Sequence, residues 1–361
     1  MSSCGSLSTG TFSFFPCTLP AIYHPPQALP PDFDTLLARL HADRDSSSQS
    51  PDHRLQWACQ ALDYVDVVTA HAARSYPAHT PASSHASMEA EAVAIVEHFA
   101  NQGTPRALYC KATWFEFGRF GQSQDRKAAF QLYKSAAQAG FARAEYRLGV
   151  QYEKADDMRR AIQIYNRAAS KNDCAANYRL GMMTILGQHG HKQDFAKGIS
   201  RLHVAATTAD QDAPQGCYVF GLLLAKDLPG VQIPDEFLRK DIRAAVTMLE
   251  KASNLGFGPA LLKLGNIYEF GNYDEPFDPA VSLYYYTLAA IRGEVEADMA
   301  LSKWYLCGSE GVFEKNEELA FVHALRAAGR GNATAEFALG YFYEVGIHVS
   351  PDFEKAQVYY G

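Results

Sequence analysis

Four glutamates recur at the same position of a repeated sequence motif, and each directly follows an aromatic residue. The four pairs are Phe115 with Glu116, Tyr152 with Glu153, Tyr268 with Glu269, and Tyr343 with Glu344. Each carboxylate falls near the C-terminal end of a predicted helix, where the helix dipole disfavours it by roughly 0.3–1 kcal/mol. Either a Lys or Arg from the following helix or the neighbouring unit offsets this cost, or the eight residues present acidic and aromatic groups to a protein partner. We treat these eight residues as the candidate partner-binding site.

Catalytic signatures are absent from the sequence. It contains no G-x-S-x-G, H-E-x-x-H, Walker loop or G-x-G-x-x-G after a strand. His189 and His191 lie near Asp194 in a Gly-flanked stretch, but a metal site needs three or four converging ligands. We therefore predict polar loop residues at this place, and we predict no catalytic residue, no cofactor and no metal for the chain.

The charge and cysteine content restrict the class of protein. The net charge is -7, so the chain lacks the excess of positive charge that attracts nucleic acid, and we predict no nucleic-acid partner. The seven cysteines are dispersed without a C-x-x-C, which is typical of reduced thiols in a cytosolic protein. The N-terminus does not resemble a secretory signal, and no apolar run approaches the roughly 20 residues that span a bilayer. These features predict a cytoplasmic protein without a transmembrane segment.

The glutamates belong to a sequence motif that occurs in seven copies, for example "AEYRLGVQYEKA" from Ala144 and "AEFALGYFYEVG" from Ala335. A small residue marks the same point of every copy, at intervals of 32 to 44 residues: Ala112, Gly149, Gly181, Gly221, Gly265, Ser302 and Gly340. A second sequence motif, such as "AFQLYKSAAQAG" from Ala129, follows each copy of the first. The pattern of each repeat unit therefore predicts two amphipathic helices joined by a turn. Such helix pairs must stack to bury their apolar faces.

This repetition predicts an all-α chain, a right-handed α-solenoid of about seven helix pairs. Residues 104–361 form the solenoid, with the seventh pair truncated. Residues 1–52 are rich in Ser and Pro and are predicted to be a disordered, low-complexity segment, with a short helix near residues 33–40. Residues 53–103 are predicted to contain N-terminal helices with a linker near residues 74–87. The Tyr-rich run "LYYYTLAA" from Leu283 is compatible with a peptide-binding stripe, although core packing is the favoured interpretation.

The repeat contains the motifs Ala-x-x-x-Leu-Gly and Ala-Ala-x-x-Gly. Through these motifs it resembles the Sel-one-like class of helical pairs, which are related to tetratricopeptide repeats but have a longer repeat period. Longer stretches are similar to the fungal chitin synthase activator family. They include "EADMALSKWYLCGSEGVFEKNEELAF" from Glu296 and "NYRLGMMTILGQHG" from Asn177. The resemblance covers roughly residues 89–361.

This resemblance implies a non-catalytic scaffold that activates a membrane-embedded chitin synthase in cell-wall and septum formation. It also implies a link to a septin-associated scaffold, and a position at the plasma membrane, bud neck or septum. Several family members end in a prenylation box, whereas this sequence ends in "VYYG", so we expect a longer natural C-terminus.

Two other functions stay open from the sequence. The first is a cytosolic Sel-one-like adaptor in signalling, such as an activator of a protein kinase C pathway. The second is an enzyme, because some bacterial proteins of this repeat class have been linked to β-lactam binding or hydrolysis. Those relatives are cysteine-paired and secreted, whereas this chain shows no cysteine pairing within its repeat units.

Overall fold

The computed structural model describes residues 29–46, 50–75, 83–190 and 192–361. The predicted low-complexity segment up to residue 28 and the predicted loop residue His191 lie outside these ranges. In the described ranges the chain is helical, with one isolated bridge between Ser309 and Phe313. The helices are α1 (Phe33–Ser46), α2 (Pro51–Arg74), α3 (Ser83–Asn101), α4 (Pro105–Phe117), α5 (Arg126–Gln138), α6 (Ala142–Lys154), α7 (Met158–Ser170), α8 (Cys174–Leu186), α9 (Phe195–Thr207), α10 (Gln215–Ala225), α11 (Ile242–Asn254), α12 (Gly258–Phe270), α13 (Pro279–Arg292), α14 (Val295–Cys307), α15 (Glu317–Ala328), α16 (Ala333–Val345) and α17 (Phe353–Tyr360).

Helices α4 to α17 form seven consecutive pairs, which we number one to seven from α4 with α5 to α16 with α17. The two helices of each pair pack together, and the second helix of one pair packs on the first helix of the next. The predicted all-α solenoid of helix pairs is confirmed. The predicted division of the chain into three segments, with the solenoid beginning at residue 104, stays a prediction. Within the first segment, residues 1–52, the structure contains helix α1.

Every second helix of a pair begins at an Asp or Asn that caps it. The side chain of this residue accepts a hydrogen bond from a backbone N–H two or three residues further on, a contact worth about 1 kcal/mol of helix stability. The seven caps are Asp125, Asp157, Asp194, Asp241, Asp278, Asn316 and Asp352. The sequence thus specifies where each second helix starts, independently of the length of the preceding turn.

The recurrent small residue allows the two helices of a pair to approach closely. A Cβ atom built on Gly149 would lie 2.4 Å from the ring of Tyr165, and one on Gly265 would lie 2.6 Å from the ring of Tyr286. Both rings belong to the second helix of the same pair. In α13, Tyr285 and Tyr286 are buried, which agrees with core packing of the Tyr-rich run.

Helices α1 to α3, which we call the N-terminal layer, pack against the solenoid at several separate places. Helix α3 contacts α4 of the first pair, while α2 lies against α13 of the fifth pair. Arg74 donates a hydrogen bond to the carbonyl of Ile291 at 2.9 Å, and Tyr284 donates one to the carbonyl of Pro30 at 2.6 Å. The layer therefore connects the first pair with the fifth.

The interior of the N-terminal layer is apolar and continuous with the solenoid core. Trp57 is 2% exposed and donates its indole N–H to the carbonyl of Leu40 at 2.8 Å, which fixes α1 on α2. Phe33 is likewise buried, and the guanidinium of Arg292 lies 5.3 Å from its ring centroid. No helix in the described ranges is both long enough and apolar enough to cross a bilayer.

Candidate functional site

The four predicted glutamates, which we call the carboxylate row, all have the same type of partner within the fold. Each accepts a hydrogen bond from the hydroxyl of a tyrosine on the second helix of its own pair. The donor and acceptor oxygens are 2.5 to 2.7 Å apart in Tyr133 with Glu116, Tyr165 with Glu153, Tyr286 with Glu269, and Tyr360 with Glu344. The carboxylate row therefore fastens the end of each first helix to the second helix.

Glu116 has additional cationic partners from the next pair. Arg147 and Lys154 of α6 both form ion pairs with it, and Gln151 donates an amide hydrogen bond at 2.9 Å. Burial alone would raise the pKa of Glu116, but the hydrogen bonds from Arg147 and Tyr133 outweigh it and hold the pKa below its usual range. At this position the neighbouring unit offsets the dipole cost, as one of the two sequence interpretations requires.

The remaining members of the carboxylate row divide into two kinds. Glu153 forms an ion pair with Arg179 of the next pair, and this contact together with the Tyr165 hydroxyl lowers its pKa against the opposing effect of burial. Among the described residues, Glu269 and Glu344 form no ion pair. Within the described part of the chain, the one hydrogen-bond partner of each of these two carboxylates is a tyrosine hydroxyl.

The eight predicted partner-binding residues differ in accessibility. Glu116 and Tyr268 are 3% exposed and are enclosed by the fold. Glu344 is exposed, and the other five residues are half-buried: Phe115, Tyr152, Glu153, Glu269 and Tyr343. The geometry therefore leaves Glu344 as the member of the carboxylate row that a partner reaches most easily, and the role of all eight in partner binding stays a prediction.

Exposed apolar side chains follow three of the four glutamates. Phe117 is 49% exposed, Phe270 is 60% exposed and Val345 is 53% exposed, each at the last position of its helix. The guanidinium groups of Arg119 and Arg147 lie 5.3 and 5.2 Å from the Phe117 ring centroid. Aromatic residues and Arg are enriched at protein interfaces, so Phe117 with its two arginines has a composition that such interfaces favour.

The partner tyrosines were not recognised from the sequence, although a signal for them exists. In these four pairs a tyrosine stands eight residues after the capping Asp, for example Tyr165 after Asp157. In the other three pairs that place is taken by Leu202, Leu249 and Ala324, and their first helices carry Ile185, Ala225 and Leu306 instead of Glu. The tyrosine and the glutamate therefore occur together within this chain.

Two buried acidic residues near the start of a first helix form a second kind of contact. Glu145 of α6 pairs with Arg167 in the last turn of α7 and with Lys171 directly after that helix, with N–O distances of 2.9 and 3.0 Å. Asp298 of α14 is 2% exposed and pairs with His323 and Arg326 of α15. Here the helix dipole favours both partners, because carboxylates lie at helix N-termini and cations at C-termini.

A cleft of about 450 Å³ separates α1 and α2 from the turns that follow α9 and α11. The carboxyl groups of Asp63 and Asp212 line it together with Arg292 and apolar side chains of the N-terminal layer. Asp63 is open to solvent on its cleft side, but enclosure by the surrounding protein, reinforced by the charge of Asp212, raises its pKa to about 7. In the part of the chain that the structure describes, no three His, Cys, Asp or Glu side chains are grouped to hold a metal.

Comparison with family models assigns the repeat. The Sel1 repeat model matches residues 108–141, 142–173, 174–200, 235–257, 258–294, 295–332 and 333–361. The chain belongs to the Sel1 repeat family. The matched residues cover the first helices of six pairs in register with the helices of the structure, and the stretch from 201 to 234 that contains α10 is unmatched.

The predicted resemblance to fungal chitin synthase activators is also confirmed. Chitin synthase regulatory factor 4 of Schizosaccharomyces pombe is 36% identical over 334 residues, which are 88% of this chain and 52% of that protein. Chitin synthase regulator SKT5 of Saccharomyces cerevisiae is 34% identical over 277 residues, or 75% of this chain and 39% of that protein. The chain thus spans about half the length of the first of these relatives and less of the second.

Solved structures agree on the fold. A Sel1 repeat protein from Oxalobacter formigenes matches with a TM-score of 0.50 and 20% identity, over 91% of this chain and 87% of that chain. The protective antigen c5321 of uropathogenic Escherichia coli matches with a TM-score of 0.52 and 18% identity, over 90% and 78% of the two chains. At these identities the comparison concerns architecture alone.

Proposed function

We propose that this chain is a non-catalytic scaffold that binds a membrane-embedded chitin synthase and activates it in cell-wall and septum formation. The observation that carries the proposal is the 36% identity to a protein named chitin synthase regulatory factor over 88% of this chain. The stacked pairs support it, because a solenoid offers a long, pre-ordered surface that loses little conformational freedom on binding. The chain then acts from the cytoplasmic side, as a peripheral protein at the plasma membrane, bud neck or septum.

The proposal includes two kinds of protein partner and excludes chemistry by the chain itself. One partner is the synthase, and the other is a septin-associated scaffold that positions the complex. Activation arises when the solenoid binds an exposed segment of the synthase and shifts its location or its active state. The carboxylate row and the apolar residues beside it supply the candidate contact surface.

A signalling adaptor is the second candidate function. Activator of C kinase protein 1 of Saccharomyces cerevisiae is 34% identical over 96 residues, but these are only 25% of this chain. The shorter match gives this alternative less support than the chitin synthase regulators.

Affinity capture from detergent-solubilised fungal membranes tests the function. We expect the immobilised chain to retain chitin synthase, identified by immunoblot, and the added chain to increase incorporation of labelled sugar into chitin by the same membranes. A chain lacking residues 260–361 serves as the comparison and should retain less. Chitin synthase absent from the bound fraction, together with unchanged chitin synthesis, would contradict the proposal.

Charge reversal at the exposed end of the carboxylate row tests the contact surface. We expect Glu344→Lys to weaken capture of the synthase about fivefold, which corresponds to roughly 1 kcal/mol of binding free energy. The melting midpoint should stay unchanged, because Glu344 is exposed and, among the described residues, the Tyr360 hydroxyl is its one hydrogen-bond partner. Glu354→Lys on α17 is the matched control, since it makes the same charge change at an exposed position outside the carboxylate row.

The two variants distinguish the alternatives for the row. Reduced capture by Glu344→Lys with full capture by Glu354→Lys supports a partner-binding carboxylate. Equal capture by both variants would exclude Glu344 from the contact surface, and a lower melting midpoint in Glu344→Lys alone would assign its carboxylate to intramolecular stability.

A further inference from the structure

Two cysteines meet where the N-terminal layer packs on the first pair. The Sγ atoms of Cys59 on α2 and Cys110 on α4 are 3.2 Å apart and share a hydrogen bond, although the residues are 51 positions apart in sequence. Both side chains are partly exposed. The fold therefore holds two thiols in contact at residues that are not fully buried.

The other cysteines in the described ranges have different surroundings. Cys174 is buried and accepts a hydrogen bond from Arg143 at 2.8 Å, and Cys217 is buried and donates to the carbonyl of Ala206 at 3.0 Å. Cys307 is exposed. It provides an internal comparison for a thiol that is accessible but is not held against another.

The two adjacent thiols differ electrostatically. The hydrogen bond from Cys110 lowers the pKa of Cys59 and outweighs the opposing effect of burial, while the charge of Arg106 lowers it further. Asp63 and Asp212 act in the other direction on Cys59. The same hydrogen bond and burial raise the pKa of Cys110. Cys59 is therefore the thiol that ionises first, and a thiolate is the nucleophile in disulfide exchange.

We propose that Cys59 and Cys110 form a dithiol modification site whose substrate class is low-molecular-weight disulfides, with oxidised glutathione as the representative. The Cys59 thiolate attacks one sulfur of oxidised glutathione, forming a mixed disulfide and releasing one glutathione thiolate. Cys110 then loses its proton to solvent, attacks Sγ of Cys59 and releases the second glutathione thiolate. Two protein thiols are oxidised, and one oxidised glutathione is reduced to two glutathione molecules.

The consequence of this exchange follows from the position of the two helices. A bond between α2 and α4 fixes the N-terminal layer on the first pair, whereas reduction leaves only noncovalent packing at this contact. Because α2 also lies against α13, the bond covalently closes one side of a connection that joins the first pair to the fifth. Cross-linking two distant points restricts the unfolded chain and stabilises the folded one.

The test uses the full chain incubated with oxidised glutathione, quenched with acid and alkylated with N-ethylmaleimide before peptide mass mapping. We expect a peptide pair linked through Cys59 and Cys110, and a melting midpoint that rises by about 2–4 °C on oxidation. Cys59→Ser and Cys110→Ser should each abolish both effects. Cys307→Ser is the control variant and should retain them.

Peptide mapping of the unsubstituted chain decides the matter even if a serine variant folds poorly. The proposal is overturned if Cys59 and Cys110 still carry N-ethylmaleimide when Cys307 is fully converted to its glutathione adduct. It is also overturned if either residue is linked instead to Cys4 or Cys17, or if the linked pair forms only after denaturation. None of these outcomes bears on the capture of chitin synthase, so this site and the proposed function are tested separately.

Discussion

Replacing Glu116 with alanine is expected to lower the free energy of unfolding by about 3–5 kcal/mol, the range found when one partner of a buried ion pair is removed. Glu116 is 3% exposed, and its carboxylate is the acceptor for Tyr133, Arg147, Gln151 and Lys154. Truncation would leave the guanidinium of Arg147, whose side chain is only 18% exposed, without its carboxylate. The loss therefore combines an uncompensated cation with an unsatisfied tyrosine hydroxyl.

The repeat itself supplies the control for this prediction. Glu344 stands at the same position of the seventh pair and accepts the same tyrosine contact, but it is exposed. Glu344→Ala should leave the free energy of unfolding nearly unchanged, as urea denaturation followed by circular dichroism would measure. Equal losses in both variants would mean that the tyrosine contact, and not the buried ion pairs of Glu116, stabilises the end of the first helix.

The sequence was sufficient to predict the solenoid because its causes are local. A small residue at a fixed point, such as Gly149, permits the close approach of two helices whatever surrounds the pair. A capping Asp, such as Asp157, determines the start of the second helix within three residues. Both signals act within one repeat unit, so they recur with the repeat and can be recognised without knowing the rest of the chain.

The sequence was not sufficient to predict how the N-terminal layer packs. Arg74 reaches the carbonyl of Ile291 across 217 residues, and Tyr284 reaches the carbonyl of Pro30 across 254. Such contacts depend on the curvature that several stacked pairs accumulate, which no single unit encodes. The contact between Cys59 and Cys110 is of the same kind, since it joins the N-terminal layer to the first pair across 51 residues and no repeat unit contains both cysteines.

The carboxylate row is an intermediate case. The unfavourable position of Glu116 at the end of its helix correctly indicated that a partner was needed, and a cation from the neighbouring pair was one of the two expected forms. The tyrosine is not at a constant distance from the small residue of its unit, because the turn between the two helices varies in length. It is at a constant distance from the capping Asp, and in that register Tyr286 and Glu269 occur in the same pair.

These contacts bear on how the proposed scaffold would bind a partner. The N-terminal layer packs on α13 and faces the turns beyond α9 and α11 across the cleft, so the contacted surface of α13 is already occupied by the chain itself. The ends of the first helices carry exposed Phe270 and Val345 next to the carboxylate row. A partner segment lying along these ends would meet apolar and acidic groups in alternation, which the Glu344→Lys variant tests at one point.

Asp298 is the second place where removal of one carboxylate should have a large effect. Its Oδ1 lies 2.9 Å from Nδ1 of His323 and 3.3 Å from a terminal nitrogen of Arg326, and both side chains are less than 10% exposed. Arg326 in turn lies 3.5 Å from Nδ1 of His71 on α2. The carboxylate therefore balances a buried cation at the point where the sixth pair meets the N-terminal layer.

We expect Asp298→Ala to lower the free energy of unfolding by about 3–5 kcal/mol, because Arg326 then stays buried without a counter-charge. Glu296→Ala, two residues away and exposed, should change it by less than about 0.5 kcal/mol. The decisive variant is the double substitution Asp298→Ala with Arg326→Met, measured by urea denaturation. If the buried charge causes the loss, removing Arg326 should restore more than half of it, since a well-packed apolar pair can replace a buried ion pair. If the two substitutions are simply additive, the loss comes from missing side-chain volume at Asp298 and the electrostatic explanation fails.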